Sequence, residues 1–181
     1  MNWISFIFAD ILYKGDTIRV FNVHLHSMKL RVNEIVAEKN EDKKLVKIKE
    51  TIRRMKEGFI AHSREATILK SFIEDSPHPL ILVGDFNDIP YSYTYLTFKD
   101  FLQNSFEEAG EGLGFTYNEY PTFIRIDNQF SSEEFNVISH QVHDEIKYSD
   151  HFPVSVVYEL DGEDEQQSEQ EGSILLLEEN K

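Results

Sequence analysis

The sequence predicts a mixed α+β fold, and three observations predict it. Two β-rich stretches around a glycine turn open the chain, over residues 3–13 and 17–25. A helical pattern ending in Asp75-Ser76-Pro77-His78-Pro79 then runs into the apolar stretch Leu80-Ile81-Leu82-Val83. Helix, proline turn and buried strand in succession mark layered α and β elements. Short β-rich segments return after residue 115, around Pro121 and from Phe135.

The 181 residues suffice for one domain with a real core, and 40% of them are hydrophobic. The absence of cysteine excludes disulfides, thiolate nucleophiles and Cys-ligated zinc. No apolar stretch reaches the length of a membrane span. Residues 1–9 are apolar, but no basic residue precedes them and Asp10 follows, so they read as a strand rather than a signal peptide. The net charge of −15 is uneven, with −8 carried by residues 159–181. The remainder is moderately acidic, which argues against the phosphate-neutralising patch that duplex DNA requires.

In chain order, residues 3–13 and 17–25 form a hairpin about Lys14-Gly15-Asp16, with Ile18 and Val20 alternating with Thr17 and Arg19. His24 falls near the end of the second strand, where a single histidine is ordinarily structural. Residues 29–56 are dense in charge and lack Pro and Gly, with a broken helical period. Within them, residues 38–44 read as solvated or looped out, and Gly58 is expected to interrupt the helix. A second helix follows over 59–73, with Arg64 and Glu65 on its surface. The strand from Leu80 meets Gly84-Asp85-Phe86-Asn87. If it continues through Asn87, Asp85 and Asn87 face the same side. The same pair can instead close the strand as an Asx turn. Ser92 can cap a short helix over 94–102. Residues 103–114 read as loop, and residues 115–117, 122–127 and 135–139 as short strands. His140 and His143 read as surface residues. Tyr148-Ser149-Asp150-His151-Phe152-Pro153-Val154 enters a last β-rich stretch. The acidic, Gln-rich residues 161–181 are too polar to order themselves. The domain is therefore expected over 1–160 and a disordered tail over 161–181.

His24, Asp85, Asn87, Asp127, Asp150 and His151 each fall at the end of a predicted strand or in a loop beside one. Together they have the parts of a metal-assisted hydrolase. An Asp-His pair orients an imidazole toward a proton on water. Asp85 can position that water, and Asn87 can donate to an anionic oxygen. Asp150 can bind Mg2+, which prefers oxygen ligands and keeps several waters. The ion and His24 would offset charge growing on a phosphate.

Asn22-Val23-His24-Leu25, Gly84-Asp85-Phe86-Asn87, Arg125-Ile126-Asp127 and Ser149-Asp150-His151-Phe152-Pro153-Val154 stand in one order along the chain. In that order and spacing, over residues 3–158, the sequence resembles the endonuclease/exonuclease/phosphatase superfamily. The resemblance implies a four-layer α/β/β/α sandwich, of which this chain would hold a C-terminal portion. It implies His151 as general base or phosphate stabiliser, Asp127 as its orienting partner, and Asp85 as the residue that orients or deprotonates water. His24 and Asn87 would contact the scissile phosphate, and Asp150 would serve the metal, Mg2+ or alternatively Mn2+. The implied reaction is hydrolysis of a phosphate ester, of nucleic acid or of a small or lipid-linked substrate. The superfamily's first half supplies another strand-end asparagine and a metal-binding glutamate, which have no counterpart in these residues. Asn128-Gln129 stand where the family has an aromatic and an aliphatic residue, which weakens that strand's place in the core. The alternative is therefore a truncated, inactive fragment serving as a binding module or an incomplete gene product. A third reading takes all six polar residues as turn caps in a generic α/β binding protein.

Overall fold

The computed structural model describes residues 5–160, so the expected tail over 161–181 lies outside the described residues. Strand β1 (Ser5–Tyr13) pairs antiparallel with β2 (Asp16–His24), from Tyr13↔Asp16 to Ser5↔His24. The two-residue connection Lys14–Gly15 has φ of +49° and +106°. Positive φ at both positions is the twist that a tight hairpin requires.

Helix α1 (Val32–Ala37) leads into α2 (Glu41–Glu74), a single helix of 34 residues capped by Asn40, whose side chain accepts from the Lys43 N–H. Residues 41–44 are helical and largely exposed, the solvated rather than the looped-out alternative. One expectation is corrected here, since Gly58 does not interrupt the helix. Gly58 is buried against Met28, whose side chain occupies the space a Cβ would need. The glycine thus admits a close neighbour, which offsets its weak helix propensity. The core half of α2 buries Ala61, His62, Glu65, Ala66, Leu69 and Ile73. Glu65 is only 5% exposed, contrary to its expected surface place.

Strand β3 (Leu80–Asp85) pairs parallel with β2 and antiparallel with β5 (Asp127–Ser131). Gly84, at φ +140°, lies so close to Val23 that a Cβ would collide with that residue's carbonyl. Helix α3 (Tyr93–Lys99) starts at Ser92, whose Oγ accepts from the Tyr95 N–H as expected. The expected loop over 103–114 instead opens with β4 (Gln103–Asn104) and α4 (Ser105–Ala109). Asn104, a loop residue by type, caps α4 by accepting from the Phe106 and Glu107 N–H groups. The five-stranded sheet runs β1-β2-β3-β5-β4, and β6 (Phe135–Val142) pairs antiparallel with β7 (Val154–Leu160) separately.

Period-two alternation divides the large sheet. Phe21, Val23, Leu80, Leu82 and Phe130 bury one face with Ala66, Leu69 and Ile73 of α2 and Tyr95 and Phe98 of α3. Ile18, Val20 and Ile81 point the other way and line a cavity with Phe135 and Tyr158 of the β6–β7 pair. Helices, sheet and second sheet thus follow one another as layers. His140 is 8% exposed and edge-on to Phe106, which corrects its expected surface reading.

Leu82 is fully buried at the centre of this core. Leu82→Ala is expected to cost about 2–5 kcal/mol in urea unfolding. A loss under about 1 kcal/mol would contradict the packing described.

Candidate active site

Three adjacent strands end at one level. His24 of β2 is in register with Asp85 of β3, and Asp85 is in register with Asp127 of β5. Register partners share a sheet face, so an imidazole and two carboxylates stand in a row. They stand on the face away from α2. His24 Nε2 lies 3.6 Å from Asp85 Oδ2.

The chain turns sharply after Asp85. Asn87 has φ +48°, so the strand does not continue through it. Asparagine tolerates this left-handed conformation better than most residues. Asp85 Oδ1 accepts from the Asn87 N–H at 2.7 Å, and Oδ2 accepts from Asn87 Nδ2 at 2.8 Å. Nδ2 also donates to the Leu25 carbonyl at 3.1 Å. The Asx turn and the site therefore coincide. Both amide donors of Asn87 are engaged, so donation to a phosphate would require exchanging one of them.

His151 completes the row from a distant segment. Its Nδ1 is 2.8 Å from Asp127 Oδ2, and its Nε2 points toward Asp85 Oδ2 at 4.0 Å. Thr116 positions this pair. Its Oγ1 accepts from the N–H groups of Ile126 and Asp127, both at 3.1 Å, and its carbonyl accepts from the Phe152 N–H at 2.8 Å. Tyr117 bridges to His151 and sets its ring edge-on to the imidazole. The expected strands over 115–117 and 122–127 are reduced to this. The Thr116 and Tyr117 N–H groups both turn to the Ile124 carbonyl, and β5 begins only at Asp127. Asn128, expected to weaken that strand's core reading, is buried opposite Gly84.

The electrostatics follow from this geometry. Burial raises the Asp85 carboxyl above its ordinary range, and the Asp127 carboxylate adds to the rise, against the Asn87 N–H and the two imidazoles. The hydrogen bond to Asp127 raises His151 above the ordinary histidine value despite its partial burial. All six expected residues line one cleft of about 680 Å³. Asp150 sits exposed in its lining, accepting from Ser149 Oγ at 3.1 Å. The ligating atoms of Asp85, Asp127 and His151 lie within 4.8 Å of one another. Two carboxylates side by side, one with a raised pKa, form a donor set that a hard divalent cation fits.

The sequence reading did not single out Thr116, His62 or Asp88. His62 and Glu65 share the helix face of Ala66 and Leu69, a spacing that signals burial for polar residues as much as for apolar ones.

Carboxylates and imidazoles thus gather in one row at the strand ends of a sheet backed by helices. A model of the endonuclease/exonuclease/phosphatase family matches residues 60–151, half of the chain. The chain belongs to that family. No match is found among curated proteins. Among solved structures, it is similar to a mannosyl-6-phosphatase of Bacteroides thetaiotaomicron VPI-5482, at 23% identity and a TM-score of 0.55, over 81% of this chain and 53% of that one. A family protein from Bacteroides thetaiotaomicron gives 24% identity and a TM-score of 0.58, over 82% and 52%. The human Nocturnin catalytic domain gives 17% and 0.52, over 86% and 52%. These likenesses show a shared fold, and the chain spans about half the length of the structures it matches. Among the described residues, no helix is long and apolar enough to cross a membrane.

Asp127→Asn weakens the charge that holds the His151 proton. The His151 titration midpoint, followed by NMR without divalent ions, is expected to fall toward the ordinary histidine value. An unchanged midpoint would contradict the coupling.

Proposed function

We propose that the cleft hydrolyses a phosphate ester by in-line attack of water, with Mg2+ or Mn2+ bound. The observation that carries this reading is the Asp127–His151 bond of 2.8 Å, which leaves Nε2 facing Asp85 across 4.0 Å. The placement of the side chains supports the following roles. Asp85, a carboxyl above its ordinary range, orients the attacking water and takes its proton. His151, held through Nδ1 by Asp127, presents Nε2 as a donor to a phosphate oxygen. Asn87 holds the Asp85 carboxylate in orientation through its two bonds. His24, largely exposed beside Asp85, contacts the phosphate from the other side. Asp150 would hold the cation together with waters, with the Asp85 and Asp127 carboxylates as neighbouring anionic donors. The cation, when bound, supplies Lewis-acid stabilisation of the phosphate.

Lys29 is the one lysine or arginine in the cleft lining among the described residues. One lysine in the lining favours a small or lipid-linked phosphoester over duplex DNA, which needs several phosphate contacts.

A second reading, an inactive binding module or incomplete gene product, has one observation in its favour. The face of β1 away from α2 exposes Ile7 at 73% and Ile11 at 48%. Mg2+ separates the two readings. The enzyme reading expects a rise in Tm on adding Mg2+, lost in Asp150→Ala.

With bis(p-nitrophenyl) phosphate and Mg2+, Asp85→Ala and His151→Ala are each expected to lower kcat at least ~100-fold. EDTA is expected to abolish turnover. Unchanged turnover in either variant would contradict the assignment.

A further inference from the structure

The cleft is held from behind by a polar group buried in the core. His62, 1% exposed on α2, has Nδ1 at 3.1 Å from Asp88 Oδ2 and Nε2 at 2.6 Å from the His26 carbonyl. One helical turn on, Glu65 Oε2 accepts from the His26 N–H at 3.0 Å. Asp88 is itself 5% exposed, and its second oxygen accepts from the Ile89 N–H at 3.0 Å. We propose that His62 is a positioning residue, tying α2 to both loops of the cleft and so fixing His24 against Asp85 and Asn87. The inference rests on reading the cleft as the phosphoester site.

The connections are short. His26 lies two residues after His24 on the loop leaving β2. Asp88 follows Asn87 on the loop leaving β3. The two loops already meet where the Leu25 N–H donates to the Asp85 carbonyl at 2.9 Å and Asn87 Nδ2 donates to the Leu25 carbonyl at 3.1 Å. Those bonds fix the loops to each other, and His62 fixes both to the helix.

The ring's charge follows from its partners. A carbonyl and a carboxylate both accept and neither donates. Both ring nitrogens therefore donate, and His62 is an imidazolium in the core. The charged groups facing it are Asp88, from the β3–α3 loop, and Glu65, on its own helix. Burial opposes the charge, but the Asp88 and His26 bonds and the two carboxylates outweigh it and raise the pKa above the ordinary value. A raised histidine stabilises the fold fully below its unfolded pKa, and that contribution is lost as pH rises through the folded value. A neutral ring would lose one of its two donors and release one loop.

Histidine side-chain 15N NMR on the whole chain tests this directly. Both His62 nitrogens are expected to carry protons at neutral pH. In His62→Gln, whose two donors sit on one nitrogen and cannot span acceptors on opposite edges of the imidazole, the His24 ring and Asn87 amide resonances are expected to shift. With bis(p-nitrophenyl) phosphate, kcat is expected to fall ~10- to 100-fold with little change in KM, as for a displaced reacting group. Asp88→Asn is expected to lower the His62 titration and to carry the His24 resonance with it, which keeps the test alive if His62→Gln does not fold. A ring nitrogen without its proton, or unmoved His24 and Asn87 resonances in a folded variant, would overturn the proposal. A wild-type chain with no turnover defeats the phosphoester reading alone, since the resonances still decide the clamp.

Discussion

The site depends on where two strands stop and a third begins. β2, β3 and β5 deliver His24, Asp85 and Asp127 at one level of the sheet, on one face. A slip of one residue in either pairing would send one of these side chains into the apolar layer under α2. The register is pinned from below by that layer, where Phe21, Leu82 and Phe130 are fully buried. It is pinned near the site by Gly84, where only a missing side chain lets β2 and β3 approach. Hydrophobic burial, a non-directional force, thus sets the position of the polar groups.

Placing two carboxylates together is unfavourable, and the surroundings compensate. Asp85 takes two hydrogen bonds from Asn87, and Asp127 Oδ2 is hydrogen-bonded to His151 Nδ1. Thr116 ties the backbone of Asp127 to the chain leaving His151, so the pair belongs to one hydrogen-bonded unit. The family's fold supplies the scaffold, and the chemistry belongs to this row of side chains.

Much of this was legible in the sequence. The hairpin, the β3 run and the Ser92 cap follow from short-range rules that the structure obeys. The meeting of His24, Asp85, Asn87, Asp127, Asp150 and His151 in one cleft was legible from strand ends and motif order. The failures share a cause, in that local propensity was overridden by a partner far along the chain. Gly58 stays helical because Met28 packs on it. Residues 122–126 lose their strand because their hydrogen bonds go to Thr116 and Tyr117. Glu65 is buried because the His26 N–H, 39 positions away, requires an acceptor. Asp85 and Asn87 were read as either cap or catalyst, and the structure shows the turn, with both side chains in the cleft lining.

The central claim is that Asp127 and His151 act as one unit above Asp85. A double-mutant cycle tests it most directly, using kcat/KM for Asp127→Asn, His151→Asn and the pair, with bis(p-nitrophenyl) phosphate and Mg2+. If they are one unit, the double variant loses no more than His151→Asn alone. Losses that multiply, or full activity in Asp127→Asn, would contradict the account.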